Sequence, residues 1–85
     1  MAHWVYILKS LKDHKYYIGY TTNVEKRLDF HNAGRQRSTR NRTPFKLVYT
    51  EQFEDKKSAL KREKQIKAFK GGEAFLKLFN KNREV

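Results

Sequence analysis

YYIGYTTNVEKRLDFH, Tyr16 to His31, changes its period halfway along. The first six residues are aromatic, β-branched or Gly, a composition that suits a strand. Thr22 followed by Glu25 then has the form of a capping box, which predicts a helix start. Past that cap, Arg27 and His31 stand four residues apart, so a helix presents them on one face, about 6 Å from each other. A phenol on the strand, Tyr17, is thus followed closely by a guanidinium and an imidazole. Those three groups suit phosphate chemistry, and the rest of the chain reads as their support.

Working outward, His3 to Ser10 (HWVYILKS) is a dense run of β formers and predicts a first, largely buried strand. Lys12 to Lys15 is short and polar, so it turns the chain back and pairs Tyr16–Thr21 antiparallel with that strand. Tyr6 and Tyr17 share a face only in one of the two possible registers, a choice that sequence leaves open. On the other side, the helix is predicted over Asn23 to Ala33 with Gly34 closing it, Val24 and Leu28 packing on the sheet, and Arg27 and His31 flanking them. Gly34 to Thr43 (GRQRSTRNRT) has four Arg and no acid, the pattern of a basic loop that orders on a phosphate backbone.

Pro44 introduces a third strand, Phe45 to Phe53, in which Phe45, Leu47, Tyr49 and Phe53 alternate with wetter positions. Glu51 is expected to reach solvent. Asp55 caps a second helix, about Lys56 to Lys70, stopped by Gly71-Gly72. A last amphipathic stretch, Glu73 to Phe79, lays Phe75, Leu76 and Phe79 on the core. The fold class is α+β: a three-stranded antiparallel sheet flanked by helices, in the order β-β-α-β-α-α.

The second helix carries an anomaly. Between Lys56 and Lys70 it has seven basic residues and one acid, Glu63, which lies in line with Ala59, Leu60 and Ile66. A carboxylate beside an apolar stripe is costly unless it is paired or bound to a metal. The pairing alternatives are Arg62, Lys67 or Arg27.

Composition narrows the partners. The 85 residues make room for one domain spanning 1–85, and 20 Lys+Arg against nine Asp+Glu leave a net charge of +11, which favours polyanions. Nucleic acid comes first, an anionic membrane surface second, and no apolar run approaches the roughly 20 residues that span a bilayer. The absence of Cys excludes disulfides and thiolate metal sites. The expected location is the cytoplasm, since no secretory h-region and cleavage site stand near the N-terminus.

WVYIL, YYIGYT, RLDFHNAG, TRNRTP, LVYTE and ALKREKQIK, taken in order over about residues 3 to 70, resemble the motifs of the GIY-YIG nuclease superfamily. More narrowly, the chain is similar to small single-domain bacterial members related to the nuclease domain of the Slx-type structure-specific endonuclease. The resemblance implies metal-dependent cleavage of DNA, in branched, flapped or damaged structures, with one divalent ion, Mg²⁺ or Mn²⁺. By position it implies that Tyr6, Tyr17, Arg27, His31 and Glu63 form the catalytic set, with Glu63 as the metal ligand. Trp4-Val5 departs from the Gly-Ile of the first motif, and the late asparagine of many members has no secure counterpart in Asn80 or Asn82. Arg35, Arg37, Arg40, Arg42, Lys61 and Lys64 are the expected DNA contacts. The chain is expected to be a monomer, with targeting left to DNA shape or to a protein partner. Two other functions fit the same charge: a non-catalytic nucleic-acid-binding module, and a basic scaffold associated with RNA. Glu63 discriminates, because a pure binder gains nothing from an acid among those lysines.

Overall fold

β-branched and aromatic residues from His3 to Ser10 build strand β1 (His3–Ser10), with Val5, Tyr6, Ile7 and Leu8 almost fully buried in succession. Burial on both faces marks a central strand. The computed structural model describes the backbone of residues 2–80 and the side chains of residues 2–78. β1 lies between β2 (Tyr16–Thr21) and β3 (Phe45–Phe53) in an antiparallel sheet of order β2-β1-β3. In the observed register Tyr6 pairs with Gly19 and Leu8 with Tyr17. Strand alternation therefore places Tyr6, Leu8, Tyr17 and Gly19 on one face of the sheet. The question left open by the sequence resolves in favour of a shared face for the two tyrosines.

Three helices complete the chain, α1 (Val24–Asn32), α2 (Lys56–Ala68) and α3 (Glu73–Asn80). Tyr6, Leu8 and Phe45 form one apolar cluster, with Tyr17, Leu28 of α1 and Leu47 packed against it. Val5 and Ile7 form the other with Ala59 and Ile66 of α2 and Phe75 of α3. The result is a sheet between two helical layers, which is the expected α+β fold in the expected element order.

Several local expectations are corrected. The N-cap of α1 is Asn23, whose side chain accepts the Lys26 amide at 3.0 Å; Thr22 and Glu25 form no capping box and are exposed. Thr21 explains the one-residue shift: its hydroxyl bonds both the amide and the carbonyl of Asn23, holding that residue in the extended conformation a cap needs. β3 does not keep one apolar face. A bulge sets Ile7 opposite Tyr49 but Leu8 opposite Leu47, so Val48 has no partner across the ladder. Phe45 and Leu47 consequently join the Tyr6 cluster, whereas Val48, Tyr49 and Phe53 join the Val5 cluster. In α3, Phe75 is buried as expected, but Leu76 is 47% exposed and Leu78 packs inward instead. Phe79 lies outside the described side chains.

Two further features position the α1 end. Asn32 clamps the first residue of β3, donating to the Phe45 carbonyl (3.1 Å) and accepting its amide (2.6 Å). The arginine-rich loop, expected to await a polyanion, already folds on itself. Thr39 is fully buried, Arg40–Arg42 form a 3₁₀ turn, and Arg42 bonds Asp13 at 2.9 Å while lying over the Phe45 ring. Glu51 is likewise drawn in from solvent: Arg62 of α2 grips both its oxygens and the Tyr49 hydroxyl donates to it. Burial, reinforced by that carboxylate, pushes the Tyr49 phenol up to about 12.

Candidate active site

Gly19 makes the site possible. It stands opposite Tyr6 in the hairpin and has no side chain, and the Tyr6 phenol fills the space that a side chain there would occupy. Even a methyl group at position 19 would collide with the phenol oxygen and the ring carbons next to it. Gly19→Ala is therefore expected to destabilise the fold by about 1–3 kcal/mol, as overpacking does in tight cores. A urea midpoint that falls at unchanged m-value checks it.

Held over Gly19, the Tyr6 oxygen lies 3.0 Å from His31 Nε2. The other imidazole nitrogen, Nδ1, lies 2.9 Å from Thr39 Oγ1, and Thr39 in turn faces the Gln36 carbonyl at 3.5 Å. We assign the protons from that chain, starting at the carbonyl, which only accepts. Thr39 donates to the carbonyl and accepts from Nδ1–H, which leaves the Nε2 lone pair to accept from the phenol. His31 is only 1% exposed, so it is far from a surface residue complementing the helix dipole. Tyr17 completes the cluster with its ring 4.8 Å from the imidazole and 6.3 Å from the Tyr6 ring.

Arg27 sits one turn earlier on α1, half-buried, its guanidinium 5.1 Å from the Phe30 ring centre. Its charge is felt by both titratable neighbours. Burial, then Arg27, holds the His31 pKa below the ordinary histidine value. Burial, then Tyr17, raises the Tyr6 phenol far above an ordinary tyrosine; Arg27 opposes that rise and the charge of Glu63 adds to it. At neutral pH the pair is a neutral phenol donating to a neutral imidazole.

Four of the five side chains singled out in the sequence therefore meet on the α1 face. Glu63 arrives differently. It belongs to α2, on the opposite layer, with a side chain 17% exposed and bonded to Lys67 one turn on, at 3.1 Å. Of the three pairing alternatives the structure selects Lys67, because Arg62 is engaged by Glu51. Glu63 nevertheless acts on Tyr6 through its charge. Among the described residues no three His, Cys, Asp or Glu are grouped. A lone carboxylate does not suit zinc, but it does suit a hard cation that keeps most of its waters, such as Mg²⁺.

Of the expected DNA contacts, Arg35, Arg37, Arg40, Lys61 and Lys64 are exposed, whereas Arg42 is tied to Asp13. Sequence reasoning missed Thr39, the residue that orients the imidazole. Only its place inside TRNRTP pointed to it. Among the described residues no helix is long and apolar enough to cross a membrane.

Comparison with known proteins agrees in one direction. The sequence profile described as the GIY-YIG catalytic domain matches residues 2–71. The UPF0213 protein of Staphylococcus haemolyticus is 52% identical over 68 residues, covering 79% of this chain and 82% of the relative. That of Natronomonas pharaonis is 51% identical over 67 residues, covering 78% of each. The solution NMR structure of the UPF0213 protein BH0048 from Bacillus halodurans is 38% identical, covers 88% of this chain and 92% of that one, and superposes with a TM-score of 0.48.

Proposed function

Since this chain belongs to the GIY-YIG catalytic domain family, we propose that it is a single-domain, metal-dependent endonuclease that hydrolyses phosphodiester bonds in branched, flapped or damaged DNA. The observation that carries the proposal is the buried hydrogen bond from the Tyr6 phenol to His31, set beside Arg27. A structural tyrosine needs no titratable acceptor held in a fixed tautomer; a general base does.

In this reading Arg27 offers its planar fork to a non-bridging phosphate oxygen, a task to which Lys is less suited. Water attacks phosphorus and loses its proton to the Tyr6 oxygen while the phenolic proton passes to His31 Nε2; the P–O bond to the departing ester oxygen breaks, and that oxygen takes up a proton from solvent, to which His31 returns its own. Tyr6 stays neutral through the exchange, which removes the difficulty of ionising a phenol whose pKa is raised. Thr39 keeps the imidazole aligned, and Tyr17 walls the site and positions the Tyr6 ring. The imidazolium so formed is disfavoured by burial and by Arg27, so it gives up its proton readily. Glu63 is the residue that would hold Mg²⁺ or Mn²⁺, which when bound neutralises charge on the phosphate and the leaving oxygen, an effect of several kcal/mol. In the structure described, the Lys67 ammonium balances that carboxylate and has to yield to the ion. Arg35, Arg37 and Arg40 from the loop, with Lys61 and Lys64 from α2, track the phosphate backbone.

The Glu63–Lys67 ion pair also favours a second reading, a nucleic-acid-binding module in which Glu63 is merely neutralised. Incubating the protein with flapped, branched and linear DNA, with Mg²⁺ or with a chelator, separates the two. Nicks in flapped or branched DNA that disappear with the chelator are the expected result. Salt-sensitive binding without cleavage under any divalent ion overturns the nuclease.

A further inference from the structure

Trp4 stands two residues before Tyr6 on β1, and strand alternation sends both side chains to the same face of the sheet. Trp4 opens onto a shallow groove of about 390 Å³ beside the start of α1. Val24 and Leu47 supply its other apolar walls, while Thr22, Glu25 and Thr50 supply polar groups. None of the lining residues is Lys or Arg, and one is an acid.

In a chain with a net charge of +11, that is an unusual place. A groove with no cation and a carboxylate on its rim does not hold a phosphate. It does fit a flat, uncharged group with hydrogen-bonding edges, and the uncharged part of a polyanionic strand is the base. Trp is the best stacking surface among the side chains, and Glu and Thr oxygens suit the exocyclic amino groups of bases. Two strand residues separate Trp4 from Tyr6 by about 6.6 Å, about the length of one extended backbone repeat, so a base on Trp4 lies close to a phosphate held at Tyr6.

Resting on the nuclease reading, we propose that Trp4 is a stacking platform for an unpaired base next to the cleaved phosphate. Bases paired and stacked within a continuous duplex cannot reach it, so the groove selects DNA carrying an unpaired nucleotide beside the scissile bond. The apolar walls from Val24 and Leu47 flank the base, and Glu25 and Thr50 meet its edge.

Trp4 is the one tryptophan of the chain, so fluorescence excited at wavelengths where tyrosine does not absorb reports on it alone. The protein is titrated in chelator with a flapped oligonucleotide and with a continuous duplex of equal length, and occupancy is followed independently by anisotropy of labelled DNA. Strong quenching by the flapped DNA and little by the duplex is expected. Trp4→Ala is expected to weaken flap binding about tenfold to a hundredfold with little effect on the duplex, and Trp4→Phe to keep most of the affinity. Unchanged fluorescence at full occupancy by flapped DNA overturns the proposal, and that measurement needs no variant to fold. So does an equal loss on both substrates in Trp4→Ala. Quenching without cleavage in Mg²⁺ supports the stack while overturning the nuclease; cleavage without quenching does the reverse.

Discussion

Glu63→Gln is expected to lower divalent-ion-dependent DNA cleavage by about 10³-fold while leaving DNA affinity unchanged or tighter. The magnitude follows from the several kcal/mol of transition-state charge stabilisation that a metal supplies, at about 1.4 kcal/mol per tenfold. The sign on binding follows from the surroundings. Glu63 is the one acid of α2, and converting it to a neutral amide removes repulsion from a phosphate backbone drawn to Lys61 and Lys64. The substitution keeps the side-chain shape, so far-ultraviolet circular dichroism should be unaltered. Lys67→Met gives the converse. It removes the ammonium 3.1 Å from the carboxylate and is expected to tighten Mn²⁺ binding measured by calorimetry. Equal cleavage by wild type and Glu63→Gln overturns the metal role, and a Lys67→Met protein that binds Mn²⁺ no better removes the competition between ammonium and ion.

The element order was readable because each boundary is announced by local chemistry. Asp55 caps α2, Gly34 and Gly71 close helices at positive φ, and β formers dominate β1 from Trp4 to Ile7. What was hidden depends on contacts between distant residues. The bulge at Val48 redistributes β3 between two cores, yet nothing in the alternation of Phe45 to Phe53 announces a missing partner across the sheet. The N-cap moved to Asn23 because Thr21, a strand residue, braces it. The candidate site divides the same way. Arg27 and His31 on one helical face follow from spacing alone, and Tyr17 follows from the strand before them. That Tyr6 meets His31 required the hairpin register, and that Thr39 meets His31 required an arginine-rich loop to fold inward, against what its charge suggests. Glu63 was conspicuous as a lone acid among cations, but that its charge is felt at Tyr6 required the tertiary fold, since the two residues belong to elements more than fifty positions apart.

Tyr6→Phe is expected to reduce cleavage by about 10²–10⁴-fold, the range for losing a positioned general base, whereas Tyr17→Phe should lose less than about tenfold. The asymmetry rests on partners. The Tyr6 oxygen has the imidazole at 3.0 Å to receive its proton, while Tyr17 meets that imidazole through a tilted ring contact at 4.8 Å, which Phe reproduces. A larger loss in Tyr17→Phe than in Tyr6→Phe would exchange their roles. The pH profile adds a readout that packing alone does not move. The proposed mechanism needs a neutral His31, and burial with Arg27 holds its pKa below the ordinary value of about 6.5. The low-pH limb of the wild-type rate should therefore lie below 6.5. Stability changes in the same window with a defined sign. Between the depressed native pKa and about 6.5 the unfolded chain binds more protons than the native one, so stability contributed by a neutral His31 is present above 6.5 and is lost as pH falls toward the native value. Removing the nearby cation with Arg27→Gln should move the acid limb upward, because the imidazolium then forms more easily. An acid limb at or above 6.5 in the wild type, or one that Arg27→Gln leaves in place, would mean that the proton in question does not reside on His31.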